Sequence, residues 1–166
     1  MTWHRRRILL AGASANALAL AGCATPGAQP FEATTTRTVW SGRLSLRVES
    51  QLPQSFIAGF ELRGNAQSGE LLLFSAFGAT LAQLNWSPGQ ARLQAQGRTE
   101  TFASIADLTL AATGAELPVG SLFRWLIGQP ADEGGWHADL AHLAQGKLNA
   151  TRLAPAPPVE LRILLE

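Results

Sequence analysis

The sequence predicts an α+β fold: an antiparallel sheet of short strands, interrupted once, late in the chain, by two helices. Three features predict it. Period-two alternation of apolar residues begins after Trp40, helix start and stop residues bracket two segments between 104 and 130, and alternation returns up to Leu165. Strands on both sides of a helical insert place the helices on one face of a curved sheet or across one of its ends.

Each element has its own signal. In residues 43–49 every even position is apolar (Leu44, Leu46, Val48) and every odd one polar, which puts one face on a core and the other in water. Residues 55–63 repeat the pattern with Phe56, Ala58, Phe60 and Leu62, after a Leu52-Pro53-Gln54 turn. A turn over 64–69 leads to a nearly continuous apolar strand over 70–75 (ELLLFS). Ala76-Phe77-Gly78-Ala79 breaks the run, and residues 80–86 resume it with Ala82, Leu84 and Trp86 on one side. Ser87-Pro88-Gly89 is a strong turn signal. Residues 90–96 then present Ala91, Leu93 and Ala95, and Gly97 turns into a short strand over 98–102. Regular short strands joined by tight turns make an antiparallel meander.

The helices follow. Ser104 is a good N-cap, Asp107 lies near the positive helix end, and Gly114 suits the stop. Pro118 opens a second helix over 119–127, ended by Gly128 and Pro130. Its apolar set (Leu122, Phe123, Trp125, Leu126, Ile127) covers more of the circumference than a lone surface helix needs. Strand signals return at 136–140, at 147–153 and, most clearly, at Val159, Leu161, Ile163 and Leu165, which alternate with Glu160 and Arg162.

The first 38 residues read differently. Arg5-Arg6-Arg7 precedes an uncharged, mostly apolar stretch over 8–21, the order of a secretory signal and too short to span a bilayer comfortably. Leu20-Ala21-Gly22-Cys23 resembles the lipobox of bacterial lipoproteins. That resemblance implies cleavage before Cys23, a diacylglycerol on its thiol and an acyl chain on its amine. Removing 1–22 leaves 144 of the 166 residues and changes the formal charge from +1 to −2, because the signal holds three of the thirteen basic residues and no acidic one. No basic block suits nucleic acid. Residues 23–38, rich in Thr, Ala, Pro and Gly, read as a lipidated tether reaching up to ~50 Å when extended. The globular domain occupies 39–166. With the single thiol acylated, no disulfide forms.

No catalytic motif is complete. Gly146-Lys147 lacks a phosphate-loop context. Ser121 lacks the second glycine of a nucleophile elbow. His137 and His142 are five apart, off a shared helical or strand face, so even with Asp139 between them solvated surface is the better reading than a metal site. Asp132-Glu133 suits a solvated turn. Apolar excess is what stands out: with Trp3 in the signal, Trp40, Trp86, Trp125 and Trp136 remain, beside seven phenylalanines and no tyrosine. Phe77 is unusual, because a hairpin apex favours polar residues. An exposed aromatic there marks a contact with a partner or a membrane; the alternative folds it back onto the sheet.

Three segments together resemble the LolB family of outer-membrane lipoproteins: Trp40-Ser41-Gly42-Arg43-Leu44, the run from Leu72 to Ala82 (LLFSAFGATLA), and the run from Leu117 to Pro130 (LPVGSLFRWLIGQP). The resemblance implies a half-open antiparallel β-barrel with a helical lid over a hydrophobic cavity for acyl chains. It implies anchoring to the outer membrane on its periplasmic face, a periplasmic carrier of the LolA type as donor, triacylated lipoprotein cargo, and no enzymatic activity or cofactor. By the family motif Phe77, flanked by Ala76 and Gly78, is the membrane-insertion tip, where the family commonly carries Pro-Leu-Gly. The segment after Pro130 is shorter than the family's, and no tryptophan follows Leu165. The expected cavity lining is Leu44, Leu46, Phe60, Leu73, Leu84 and Leu93 from the strands, with Phe123, Trp125 and Leu126 from the lid. A monomer is expected. The competing class is a structural or assembly lipoprotein with a filled β core and no lipid cargo.

Overall fold

The structure, a computed structural model, describes residues 39–166. The signal segment, Cys23 and the tether lie outside the described residues. In chain order the elements are β1 (Val39–Val48), β2 (Gln54–Gly64), β3 (Gly69–Phe74), β4 (Thr80–Ser87), β5 (Gln90–Ala95), β6 (Arg98–Phe102), α1 (Ile105–Thr113), α2 (Val119–Leu126), β7 (Trp136–Asp139), β8 (Lys147–Arg152) and β9 (Val159–Leu165), with a short 3-10 turn at Leu143–Gln145.

All nine strands join one antiparallel sheet in the order β6-β5-β4-β3-β2-β1-β9-β8-β7. The last strand pairs with the first, Leu44 opposite Ile163 and Leu46 opposite Leu161, so the chain's two strand runs meet in the middle. The sheet is not closed. Its edges are β6, polar and exposed along most of its length, and β7, only four residues long. Short or charged edges discourage pairing with other chains.

Local sequence explains the close joins. Gly42 has φ +151 and faces Leu165 on β9, where any Cβ would strike the Leu164 carbonyl. Only glycine fits there. Ser104 caps α1 by accepting from the Asp107 amide at 3.0 Å, and Gly114 ends the helix in the left-handed conformation. At the end of α2 the Gly128 amide donates to the Trp125 carbonyl and the Gln129 amide to the Arg124 carbonyl, both at 2.9 Å, a Schellman stop with left-handed Gly128. Arg124 then donates to Pro130 O at 3.0 Å and Trp125 Nε1 to Ala131 O at 2.8 Å. The Trp-Leu-Ile-Gly-Gln-Pro run therefore closes on itself.

The sheet curls around α2. Trp40 on β1 and Trp86 on β4 both reach the ring of Phe123, at 5.4 and 6.2 Å between centroids. A flat sheet with β2 and β3 between those strands would not bring them to one side chain.

Candidate functional site

Inside the curl the packing is incomplete. A cavity of about 550 Å³ lies between the concave face and the helices, a size within the usual range for ligand sites. Its wall is built by alternation. Leu44, Leu46 and Val48 of β1, Phe60 and Leu62 of β2, Leu71 and Leu73 of β3, Leu84 and Trp86 of β4, Leu93 of β5, and Leu161 and Ile163 of β9 all face it. The roof is Ile105 and Thr109 of α1, with Val119, Leu122 and Leu126 of α2. Those last three sit at i, i+3 and i+7, one stripe of a helix.

No charged side chain lines the cavity. Its polar members are few. Thr109 is buried and already committed: its hydroxyl donates to Ala106 O at 3.0 Å and accepts the Leu117 amide at 3.1 Å. Thr113 similarly donates to Thr109 O at 2.8 Å. Gln54, Ser55 and Gln96 lie where the cavity meets solvent, beside exposed Phe56, Leu81 and Ala112. The mouth is therefore at the end of the sheet that carries the β1–β2, β3–β4 and β5–β6 turns. Leu81 reaches it because the β3–β4 ladder slips: Leu73 pairs with Ala82 but Phe74 with Thr80, leaving Leu81 unpaired. A bulge of this kind re-aims a side chain.

At that same end, Phe77 is 100% exposed. Its loop is tightly held. The Ser75 amide donates to Ala79 O at 2.8 Å, the Gly78 amide donates to Ser75 O at 3.0 Å, and Ser75 Oγ accepts from the Phe77 and Ala79 amides at 3.3 and 3.1 Å. This is a three-residue hairpin loop with left-handed Gly78. Ala76 and Gly78 beside Phe77 are exposed too. The phenyl ring stands on a stiff stalk rather than folding back.

Of the expected lining residues, Leu44, Leu46, Phe60, Leu73, Leu84, Leu93 and Leu126 meet around the cavity. Phe123 and Trp125 do not, and this corrects the expectation. Phe123 is spent on the aromatic cluster with Trp40 and Trp86. Trp125, fully buried, packs 6.4 Å from Trp136 on the other flank of α2. The helix is apolar nearly all round because it buries two faces, one on the cavity and one on the β7–β8 side. The walls from β9 were missed: their place opposite β1 depends on pairing across more than a hundred residues of chain. Leu71 was missed because in the unbroken run Leu71-Leu72-Leu73 no alternation says which residues point inward.

The other chemical candidates are scattered. Ser121 donates to Glu133 Oε2 at 2.8 Å at the opposite end of the sheet, beside the β2–β3 turn. His137 Nδ1 lies 3.2 Å from Asp132 on the surface. Among the described residues no three His, Cys, Asp or Glu side chains are grouped to hold a metal ion, and no helix is long and apolar enough to cross a membrane.

Comparison with known proteins gives a consistent result. The family model for outer membrane lipoprotein LolB matches residues 38–154. Curated proteins described as outer-membrane lipoprotein LolB are similar to the chain. One from Halorhodospira halophila is 35% identical over 96 residues, covering 56% of this chain and 46% of that protein. Another, from Chromobacterium violaceum, is 29% identical over 150 residues, 80% of each chain. A third, from Bordetella petrii, is 31% identical over 134 residues, 79% of this chain and 66% of that one. The chain thus spans about half the length of the first of these and four fifths of the second.

Proposed function

We propose, starting from the fact that this chain belongs to the LolB family of outer-membrane lipoproteins, that it is the outer-membrane receptor that accepts lipoproteins from a periplasmic carrier and inserts them into the bilayer. The cavity carries this reading. An uncharged hollow of about 550 Å³, open at one end, suits hydrocarbon chains and little else, and the unfilled interior is at odds with a purely structural role.

The transfer needs no covalent chemistry from the protein. Each buried methylene is worth about 0.8 kcal/mol, so a fully sealed site would hold a triacylated cargo almost irreversibly. A hollow closed only by two short helices and open at its mouth binds the chains without trapping them. A bias of about 1.4 kcal/mol per step, from carrier to receptor to bilayer, already gives tenfold directionality. Cys23, acylated, would hold the domain on the periplasmic face, with residues 24–38 as the tether. Phe77, projecting beside the mouth, would enter the inner leaflet and couple opening of the cavity to release. The donor is a carrier of the LolA type, and the receptor acts as a monomer without cofactor or nucleic acid.

The test reconstitutes the acylated chain in vesicles and adds carrier loaded with a fluorescent triacylated lipoprotein. Cargo should leave the carrier and enter the vesicles without nucleotide. A folded receptor that takes up no cargo would return the structural reading to first place.

A further inference from the structure

The end of the sheet that holds the cavity mouth carries a second apolar tip. Leu52, in the β1–β2 turn, is 82% exposed, and Ile57, on the outer face of β2, is 74% exposed. Both belong to the hairpin next to the Phe77 loop, because β2 pairs with β3. The register sets their relative height. Gly59 is opposite Phe74, so β2 runs on past that pair to Gln54 before the chain turns, whereas β3 turns at once into residues 75–79. Leu52 therefore leads Phe77 along the strand direction by on the order of 10 Å, at a lateral offset of about two strand spacings, also ~10 Å. Ile57 lies between the two tips, and half-buried Phe74 continues the outer face behind it.

The two neighbouring tips carry no charge. Residues 50–60 and 71–81 contain no charged side chain; charge at this end stands outside them, in Arg47 paired with Glu49 at 2.8 Å at the base of the β1–β2 hairpin and in exposed Arg98 just past the β5–β6 turn. At the opposite end, around the β2–β3 turn, stand Arg124, Asp132 and Glu133. A surface built for a folded protein partner ordinarily mixes apolar anchors with a polar, charged rim. One that enters hydrocarbon must shed its charges.

We propose that the β1–β2 hairpin is a second membrane-seating element, with Leu52 and Ile57 entering the same leaflet as Phe77 and tilting the domain so that the cavity mouth faces lipid. This rests on the transfer function proposed above and extends it from one loop to an oblique apolar edge. Two contacts fix an orientation, which a single tip does not.

The test places an environment-sensitive fluorophore at L52C, F77C or, as a control at the opposite end, Q90C in the full acylated chain on phosphatidylcholine vesicles whose acyl chains carry nitroxide quenchers. Quenching at positions 52 and 77 should exceed that at 90 several-fold and should not change with salt or with added phosphatidylglycerol. Quenching at 77 but not at 52 would overturn the second contact and leave the transfer function standing. Absence of quenching at both would remove the seating and the Phe77 assignment together. In the functional arm, Leu52→Asp should slow delivery of cargo to vesicles several-fold while capture from the carrier is unchanged, and an undiminished delivery rate would overturn the proposal.

Discussion

The ring of Phe123 on α2 meets that of Trp40 on β1 edge-on, with 5.4 Å between centroids and 70° between planes. Trp86, whose Nε1 donates to Asn65 O at 3.1 Å, approaches the same phenyl ring at 6.2 Å between centroids and 53° between planes. Together the three rings tie α2 to both arms of the curled sheet and close the end of the cavity away from the mouth. The helix next to a soft interior is thus held by a hard joint.

Phe123→Ala should therefore be strongly destabilising. Removing a buried phenyl from such a cluster costs about 3–5 kcal/mol, read as a fall in the urea midpoint. A loss under about 1 kcal/mol would mean the cluster does not bear on the fold.

Leu122, one residue away, faces the cavity instead. Leu122→Trp should fill space rather than displace packed neighbours, so the urea midpoint is expected to hold or rise. Affinity for a fluorescent long-chain fatty acid should drop tenfold or more, equivalent to about 1.4 kcal/mol. Unchanged affinity would place the lipid elsewhere.

At the mouth, Phe77→Glu alters a fully exposed side chain, so thermal stability should stay within about 0.5 kcal/mol of the parent. Capture of cargo from the carrier should persist while insertion into vesicles stops, and Phe77→Leu should restore insertion. Normal insertion by the glutamate variant would show that the tip does not enter lipid.

Gly42→Ala asks β1 to keep φ +151 with a methyl group aimed at the Leu164 carbonyl. Strained backbone and a close contact together should remove about 2 kcal/mol or more. Hydrogen exchange should locate the damage, with protection lost first between β1 and β9.

Arg152 is buried on β8, over the Trp136 ring at 5.7 Å, and donates to Glu116 O and Pro157 O at 3.3 Å each. It ties the α1–α2 connection to the sheet. Arg152→Met leaves both carbonyls without that donor and should cost about 1–3 kcal/mol in chemical denaturation. Arg162→Met, which removes an exposed arginine on the neighbouring strand, should change stability by less than about 0.5 kcal/mol.

Most of the elements were legible along the chain, because each rests on neighbours a few residues apart. Alternation in 43–49 and 159–165, the Ser104 cap and the Gly128-Gln129-Pro130 stop are local physics, and the strands and helices begin and end within about two residues of those marks, except that β1 starts four residues earlier, at Val39. The Phe77 tip was legible too, since an aromatic between Ala76 and Gly78 contradicts ordinary turn chemistry. Which apolar residues surround empty space was not. Leu122 and Phe123 are adjacent and equally greasy, yet one faces the hollow and the other packs against Trp40 and Trp86.

Sequence by itself determined that this chain makes an antiparallel sheet with two capped helices and presents an uncharged, apolar hairpin tip. Tertiary structure alone decided that β9 returns to pair with β1, that the sheet curls without closing, and that two tips share the end where the cavity opens. Periodicity assigns a side chain to a face, whereas volume depends on how distant faces meet. A hollow is a property of what fails to fill the space between them, and no single segment carries that information.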